Sequence, residues 1–371
     1  MDGLNILVIG GGIGGLTAAI ALRRDGHQVT VIEKDPDWAV YGVGIIQQAN
    51  VLRAMKQLDL IDDYMDAAVG FDHVVVHAPD GTQVARVPSH RLVDGYPANV
   101  GIGRPALHKV LGDRTIAAGA DVRLGVTADS IDDDGEGVTV RFSNGSEGRY
   151  DIVVGADGVY SDTRSAVMPE APGPEYTGQA VWRYNLPRPS DLDALHVYNG
   201  PTGVGLVPIS DALMYMYVTT PEPGKPWYDK DGLAQTMRDK LANTASQIRE
   251  MAEDITDDGG VVYRPLESVM LYDAWSKGRV VLLGDAVHAT TPHLGQGAGM
   301  AIEDSIVLAE EIARADTPEA AFAAYRDRRF ERCRYIVESS LAICHGQLGK
   351  GPAVDNHKAT AEMFEIACQP I

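Results

Sequence analysis

Two sets of residues in this 371-residue chain have the types and the spacing to do chemistry. The first is Gly10-Gly11-Gly12-Ile13-Gly14-Gly15, preceded by the apolar run Ile6 to Ile9 and answered by Glu33 at the end of the next such run. Strand, glycine turn, helix and a strand ending in an acid form the pattern that holds the ADP half of a dinucleotide, FAD or NAD. Gly10 permits the tight turn, Gly12 lets backbone approach a pyrophosphate, and Gly15 lets the following helix pack on the sheet. That helix, expected from about Gly14 to Arg24, points free N–H groups and a positive dipole end at phosphate. Glu33 would accept from ribose hydroxyls, with Lys34 beside it in the same cofactor-binding set. The second set lies late in the chain: Gly284-Asp285, His288, Pro292-His293 and the loop Gly295-Gln296-Gly297-Ala298-Gly299. Histidine titrates in the range useful to acid–base chemistry, so His288, Pro292 and His293 form the candidate catalytic group.

The elements that must position these residues alternate along the chain. After Glu33 a loop leads to a helix from Ala49 to about Leu58, then to a hairpin, Phe71 to His77 with Gln83 to Val87, about Pro79-Asp80-Gly81. A helix opens at Arg104-Pro105, with proline in its first turn, and strands follow at Asp121–Leu124, Val138–Phe142 and Ile152–Val154. The region from Thr177 to Tyr263 is rich in strand signals, with a helix expected at Leu233–Ala242. From Val280 a strand, a glycine loop and a long helix return. The fold class expected is therefore α/β: a Rossmann-like dinucleotide-binding domain with an inserted mixed β-sheet substrate domain and a long C-terminal helix. In residue ranges, 1–70, 99–175 and 276–315 make the nucleotide-binding domain. The hairpin 71–98 and the segment 176–275 make the substrate domain, and 316–371 is helical. On that last helix Ala321, Phe322, Tyr325, Phe330, Cys333 and Ile336 are expected to pack against the body.

Composition narrows the class. A formal net charge of −20 argues against nucleic acid or an anionic membrane as partner, since both reward a basic surface. With 45% hydrophobic and 23% charged residues the composition is that of a globular protein. No signal-peptide pattern opens the chain and no apolar run is long enough to span a bilayer, so a cytoplasmic location is expected. Cys333, Cys344 and Cys368 lack metal-ligand or CxxC spacing, and no metal site is expected.

A further constellation, Asp151-Ile-Val-Val-Gly155-Ala-Asp157-Gly158, delivers an aspartate and a glycine into a turn, continuing to Ser161 and Arg164. With this motif, the N-terminal glycine turn and Gly284-Asp285 to Gly299 in order, the chain resembles the FAD-dependent aromatic hydroxylases, the single-component flavoprotein monooxygenases of the p-hydroxybenzoate and salicylate hydroxylase type. The resemblance covers nearly the whole chain and makes the nucleotide-binding domain an FAD domain. It implies that Asp285 holds the ribityl hydroxyls and that Gly295, Gln296, Gly297, Ala298 and Gly299 curl around the flavin near N1 and O2. It implies that Arg104 reaches the ribityl-phosphate region, that the backbone of Ala128 meets adenine, and that Asp157 serves FAD and nicotinamide binding, or caps its own turn. Gly299-Met300 departs from relatives that carry asparagine or glutamine there. The implied reaction consumes NADH or NADPH and O2 and hydroxylates a small aromatic or heteroaromatic compound, of phenol, hydroxybenzoate or hydroxypyridine type, through a C4a-hydroperoxyflavin. The protein is expected to be a monomer or homodimer.

For the substrate, Trp182-Arg183-Tyr184 falls on the first strand of the inserted sheet, and alternation places Tyr215 and Tyr217 on one face. Arg183 could bind a carboxylate, and Tyr184, Tyr215 and Tyr217 could stack on or hydrogen-bond a phenol; the opposite face of the sheet is the alternative for the tyrosines. His288 recurs in the family motif and serves either position or chemistry, whereas His293 is the candidate specific to this chain. Two other classes share the fold: a flavin halogenase or isoprenoid reductase, and a flavin-binding sensor without turnover.

Overall fold

The computed structural model describes residues 1–200 and 202–371. Its first sheet runs in the order Ser276–Lys277, Val280–Leu282, Ile152–Gly155, Asn5–Ile9, Gln28–Glu33, Asp121–Leu124. All neighbours in it pair in parallel except the edge strand Ser276–Lys277. The central strands are nearly continuous apolar runs because both faces are covered. Ile6, Val8, Val29, Val31, Ile152 and Val154 enter the main core with the helices Ile13–Arg24 and Gly297–Arg314. Their alternates Leu7, Ile9, Ile32 and Val153 meet a three-stranded antiparallel sheet, Ala128–Asp133, Val138–Phe142 and Glu147–Tyr150, on the other side.

The second large sheet has seven strands in the order Val262–Ser268, Glu175–Pro187, Leu213–Pro221, Gly203–Pro208, Leu195–Tyr198, His73–His77, Gln83–Pro88. Only Leu195–Tyr198 and His73–His77 pair in parallel. One face packs on the helices Leu233–Leu241 and Ser246–Ala252 around Trp182, Met214, Met216 and Val218. The other face looks toward a small sheet of Gly44–Gln48, Asn99–Gly103 and Ala68–Phe71. Contact there is close: a Cβ at Gly101 would lie 2.0 Å from the Pro208 carbonyl oxygen.

The helix Pro318–Gln347 spans thirty residues, opened by Thr317 as N-cap and by proline in its first turn. Ala321, Phe322, Tyr325, Cys333 and Ile336 are buried along it, and so are Arg329 and Arg332. A last helix, Asn356–Ala367, follows it in the chain. Among the described residues no helix is long and apolar enough to cross a membrane. The expected elements appear, with the helix at Arg104 running on to Ala117. The strands Gly44–Gln48, Asn99–Gly103, Ala128–Asp133 and Glu147–Tyr150 and the helix Ser246–Ala252 lacked a signal, being short and glycine-rich or polar.

Candidate active site

The N-terminal turn leaves the carboxyl end of the central strand, where the sheet changes direction of winding. Gly10 has φ +111, and a Cβ there would lie 2.4 Å from the Ala156 carbonyl oxygen. A Cβ at Gly15 would lie 1.9 Å from the Gly10 carbonyl oxygen, so the helix sits directly on the turn. Gly12 differs: its φ is −83 and a Cβ there would meet nothing within 4 Å. The helix it precedes has no side-chain cap and no acid in its first turn, so its N–H groups could hold an anion such as a pyrophosphate. Glu33 braces the turn, accepting from Gly11 N at 2.8 Å and Asp35 N at 2.9 Å. Its remaining lone pairs are free to accept from ribose. Trp38 Nε1 and His108 Nε2 both reach the Gly11 carbonyl oxygen, at 2.9 and 3.0 Å, and they escaped the sequence reading because neither lies in a motif.

Asp157 spends both oxygens inside its own turn, accepting from Ser161 Oγ at 2.5 Å and Thr163 N at 2.9 Å. Arg164, behind it, donates to the Ala286 carbonyl at 2.8 Å and so ties this turn to the next one. Gly284 has φ +64 and turns the chain so that Asp285 opens a short helix. Asp285 is an exposed residue, and among the described residues nothing hydrogen-bonds its carboxylate. Desolvation by the surrounding protein raises its pKa, and His288 and Arg104 offset part of that. The helix Gly297–Arg314 likewise starts without a side-chain cap or an acid. An unpartnered carboxylate between two uncapped helix N-termini, beside a glycine turn with open space, fits FAD: hydroxyls for Asp285, phosphates for one helix and an electron-rich ring edge for the other.

Both histidines are hydrogen-bonded to neighbouring side chains. His288 is fully buried, with Nε2 2.6 Å from Asp304 Oδ2. Burial opposes its charge, but Cys333 and Asp304 beside it raise its pKa well above the usual histidine value. Asp304 is held down to about 2: burial would raise it, and His288 and Arg329 outweigh that. His288, Asp304 and Cys333 bring potential ligand atoms within 4.8 Å of one another, but the cation in that place is Arg329, 2.8 Å from Asp304 Oδ1 and 3.7 Å from Cys333 Sγ. His293 has both ring nitrogens engaged, Nδ1 with Thr291 Oγ1 at 2.9 Å and Nε2 with Gln347 Oε1 at 3.1 Å. Gln347 Oε1 also accepts from Gln179 Nε2, so His293 donates from Nε2 and accepts at Nδ1 as a neutral ring. Burial pushes its pKa down to about 4. It braces the Pro292–Leu294 turn against the long helix.

On the inserted sheet the register pairs Arg183 with Tyr217 and Asn185 with Tyr215. Residues opposite one another share a face, and this face is the one toward the small sheet: Tyr215 packs with Phe71, Val207 and Ile209, and Ile46 and Tyr217 border them. Each tyrosine needs a glycine beneath it, since a Cβ at Gly44 would lie 2.4 Å from Tyr215 Cδ1 and one at Gly205 2.1 Å from the Tyr217 ring. Tyr184 does not join them, contrary to the expectation from sequence. It belongs to the opposite face, in the core with Trp182, where its hydroxyl accepts from Asp257 N at 3.3 Å. Arg183 has no hydrogen bond or ion pair among the described residues. Burial and repulsion from Arg104 lower its pKa to about 10, opposed by Tyr215, so it stays charged at neutral pH. Tyr41 lies under Arg264 with 4.1 Å from ring centroid to guanidinium, and Asn185 Nδ2 donates to the Gly42 carbonyl at 2.6 Å. These two contacts tie the segment 41–42 to the inserted sheet.

A parallel nucleotide-binding sheet with these turns, carrying an inserted sheet that aims an arginine and tyrosines toward them, defines a flavin-dependent oxidoreductase. Residues 4–340 match the family described as FAD binding domain, and the chain belongs to that family, the FAD-dependent aromatic hydroxylases. It is 30% identical over 362 residues to the aurachin C monooxygenase/isomerase of Stigmatella aurantiaca, covering 94% of this chain and 90% of that one. To the 3-hydroxybenzoate 6-hydroxylase of Polaromonas naphthalenivorans it is 31% identical over 355 residues, covering 91% and 86%. The crystal structure of Klebsiella pneumoniae HpxO complexed with FAD and uric acid superposes with a TM-score of 0.85 at 26% identity, covering 99% of this chain and 93% of that one.

Proposed function

We propose that the chain is an NAD(P)H-consuming, FAD-dependent monooxygenase that hydroxylates a small planar aromatic or heteroaromatic compound carrying an anionic or readily ionised group. With FAD in place, the chemistry supplied is reduction by a nicotinamide and activation of O2 toward an electron-rich ring. The observation that carries the reading is Arg183, a charged guanidinium without a partner among the described residues, on the sheet face shared with Tyr215 and Tyr217. An anion beside Arg183 relieves its repulsion from Arg104. In return the guanidinium favours the deprotonated form of a phenol-like group, which raises the ring's nucleophilicity. No histidine base is needed for that, in keeping with His288 and His293 both being engaged elsewhere. Tyr215 is kept protonated by burial, although Arg183 and Arg104 pull the other way, and so serves as a hydrogen-bond donor. Phe71, Val207 and Ile209 supply an apolar wall that excludes water from the reacting centre. A relative named for 3-hydroxybenzoate hydroxylation, and a fold neighbour complexed with uric acid, take planar acids of this kind.

The test uses purified protein with FAD, NADH or NADPH, and a panel of hydroxybenzoates, hydroxypyridines, quinolones and purines. Expected is faster NAD(P)H loss with at least one acidic ring compound and a product heavier by one oxygen. Flavin reduction unaffected by every compound, with no oxygenated product, overturns the reading.

A further inference from the structure

Glu303 and Asp304 are consecutive residues on the helix Gly297–Arg314, and both are buried. Each is linked by hydrogen bonds to one of the two glycine-containing segments 284–288 and 294–299. Asp304 Oδ2 accepts the Gly284 N–H at 3.1 Å and His288 Nε2 at 2.6 Å, so it grips both ends of the short helix that Asp285 opens. Glu303 Oε1 accepts from Asn50 Nδ2 at 3.1 Å, and Asn50 in turn exchanges hydrogen bonds with the Gln296 side chain at 3.0 and 3.1 Å. Gln296 is also bonded to Gln48, which donates to the Leu294 carbonyl at 3.3 Å. One side chain closes both arms: Arg329, from the long helix, places Nε 2.8 Å from Asp304 Oδ1 and Nη1 2.8 Å from Glu303 Oε2.

Arg329 is fully buried, and ion pairs so buried return little net stability compared with apolar packing of the same volume. What such a group does supply is geometry, because the planar guanidinium fork holds two carboxylates at fixed separation, which an ammonium cannot do. We infer that Arg329 is a positioning residue for the cofactor, setting the Gly284-Asp285 turn and the Leu294–Gly299 loop in register through Asp304 and Glu303. The inference rests on the FAD reading above. It extends that reading to a residue on the C-terminal helix, thirty positions beyond the last glycine motif in sequence.

Two variants test it. Arg329→Lys keeps a cation and loses the fork. Asn50→Ala keeps every ion pair and cuts only the Gln296 arm. Apo-protein is titrated with FAD, the visible circular dichroism of the bound flavin is recorded, and backbone hydrogen exchange is measured. Arg329→Lys is expected to raise the FAD Kd by roughly ten- to a hundredfold, by analogy with the loss seen when partners that orient metal-ligating residues are removed. It should change the flavin dichroism and speed exchange at 284–288 and 294–299, but not in the strands 5–9 and 213–221. Asn50→Ala should speed exchange at 294–299 alone and leave 284–288 as in the wild type. An unchanged Kd and unchanged loop exchange in Arg329→Lys overturn the inference, as does acceleration spread evenly over loops and strands, the mark of a purely structural residue. Wild-type protein that takes up no FAD defeats the cofactor reading as well, whereas normal uptake by both wild type and Arg329→Lys defeats this inference alone.

Discussion

Gly12 and Gly15 stand three residues apart in one turn, and alanine at each should fail in a different way. At Gly15 the added Cβ would lie 1.9 Å from the Gly10 carbonyl oxygen and 3.1 Å from its carbon, both backbone atoms. Neither can rotate away, so the helix Ile13–Arg24 must lift off the sheet, at a cost of about 3 kcal/mol or more for overpacking. At Gly12 the φ of −83 suits alanine and the Cβ meets nothing within 4 Å. Loss of glycine at an N-cap costs a few tenths to about 1 kcal/mol, and the lower entropy of the unfolded chain returns about 0.4–1 kcal/mol. Gly12→Ala apo-protein should therefore melt close to the wild type. Its methyl group, however, occupies the approach of the pyrophosphate and displaces a charge-assisted hydrogen bond worth about 1.5–3 kcal/mol, or roughly ten- to hundredfold in FAD Kd. Thermal melts of both apo-proteins, with FAD titrations followed by fluorescence quenching, separate the two effects. Wild-type FAD affinity in Gly12→Ala would refute the assignment of this turn to phosphate, and an unshifted melt in Gly15→Ala would refute the packing geometry.

Replacing Arg183 by glutamine should lower kcat/KM for an acidic aromatic substrate by roughly ten- to hundredfold, the loss of one charged hydrogen bond of about 1.5–3 kcal/mol, with FAD content unchanged; steady-state kinetics and the visible spectrum check both parts. Gly44→Ala drives a Cβ to 2.4 Å from Tyr215 Cδ1, so it should tilt that ring and raise KM more than it lowers kcat. The folded-state pKa of His293, about 4, lies below the ordinary 6.5. A histidine shifted down contributes stability above about 6.5 that is lost as pH falls toward 4, because the unfolded state takes up the proton first. Denaturation of wild type and His293→Gln across that window should show the difference between them shrinking as pH falls, and an NMR titration of the ring near 6.5 would contradict the burial described.

The parallel sheet was legible because its strands are apolar on both faces and are punctuated by glycine, a signal that short windows carry. The antiparallel additions Ala128–Asp133 and Glu147–Tyr150 were not, since their residues are mostly polar and their pairing is set by strands elsewhere. For the proposed site, Gly12, Glu33 and Asp285 stand out in the sequence by their place in motifs. Tyr184 and His293 did not reveal their roles, because face and hydrogen-bond partner depend on contacts such as Asp257 and Gln347, which lie 73 and 54 residues away. Arg329 lay on a helix stripe whose apolar neighbours suggested packing alone, and only the folded structure joins it to the cofactor loops.

The strand order of the first sheet sets a schedule for the ribosome. Asn5–Ile9 pairs with Ile152–Gly155, which pairs with Val280–Leu282, so the seat for the cofactor closes only when the last third of the chain has been made. At bacterial or eukaryotic synthesis rates of about 5–20 residues per second, the glycine turn waits roughly 15–60 s for its late partner. During that interval the strand Ile152–Gly155, once made, presents a bare edge to the side that Val280–Leu282 will fill, and FAD cannot yet stabilise it. Nascent chains stalled before Val280 should therefore lean on chaperones and gain no protection from added FAD, whereas chains released after Arg329 should gain it.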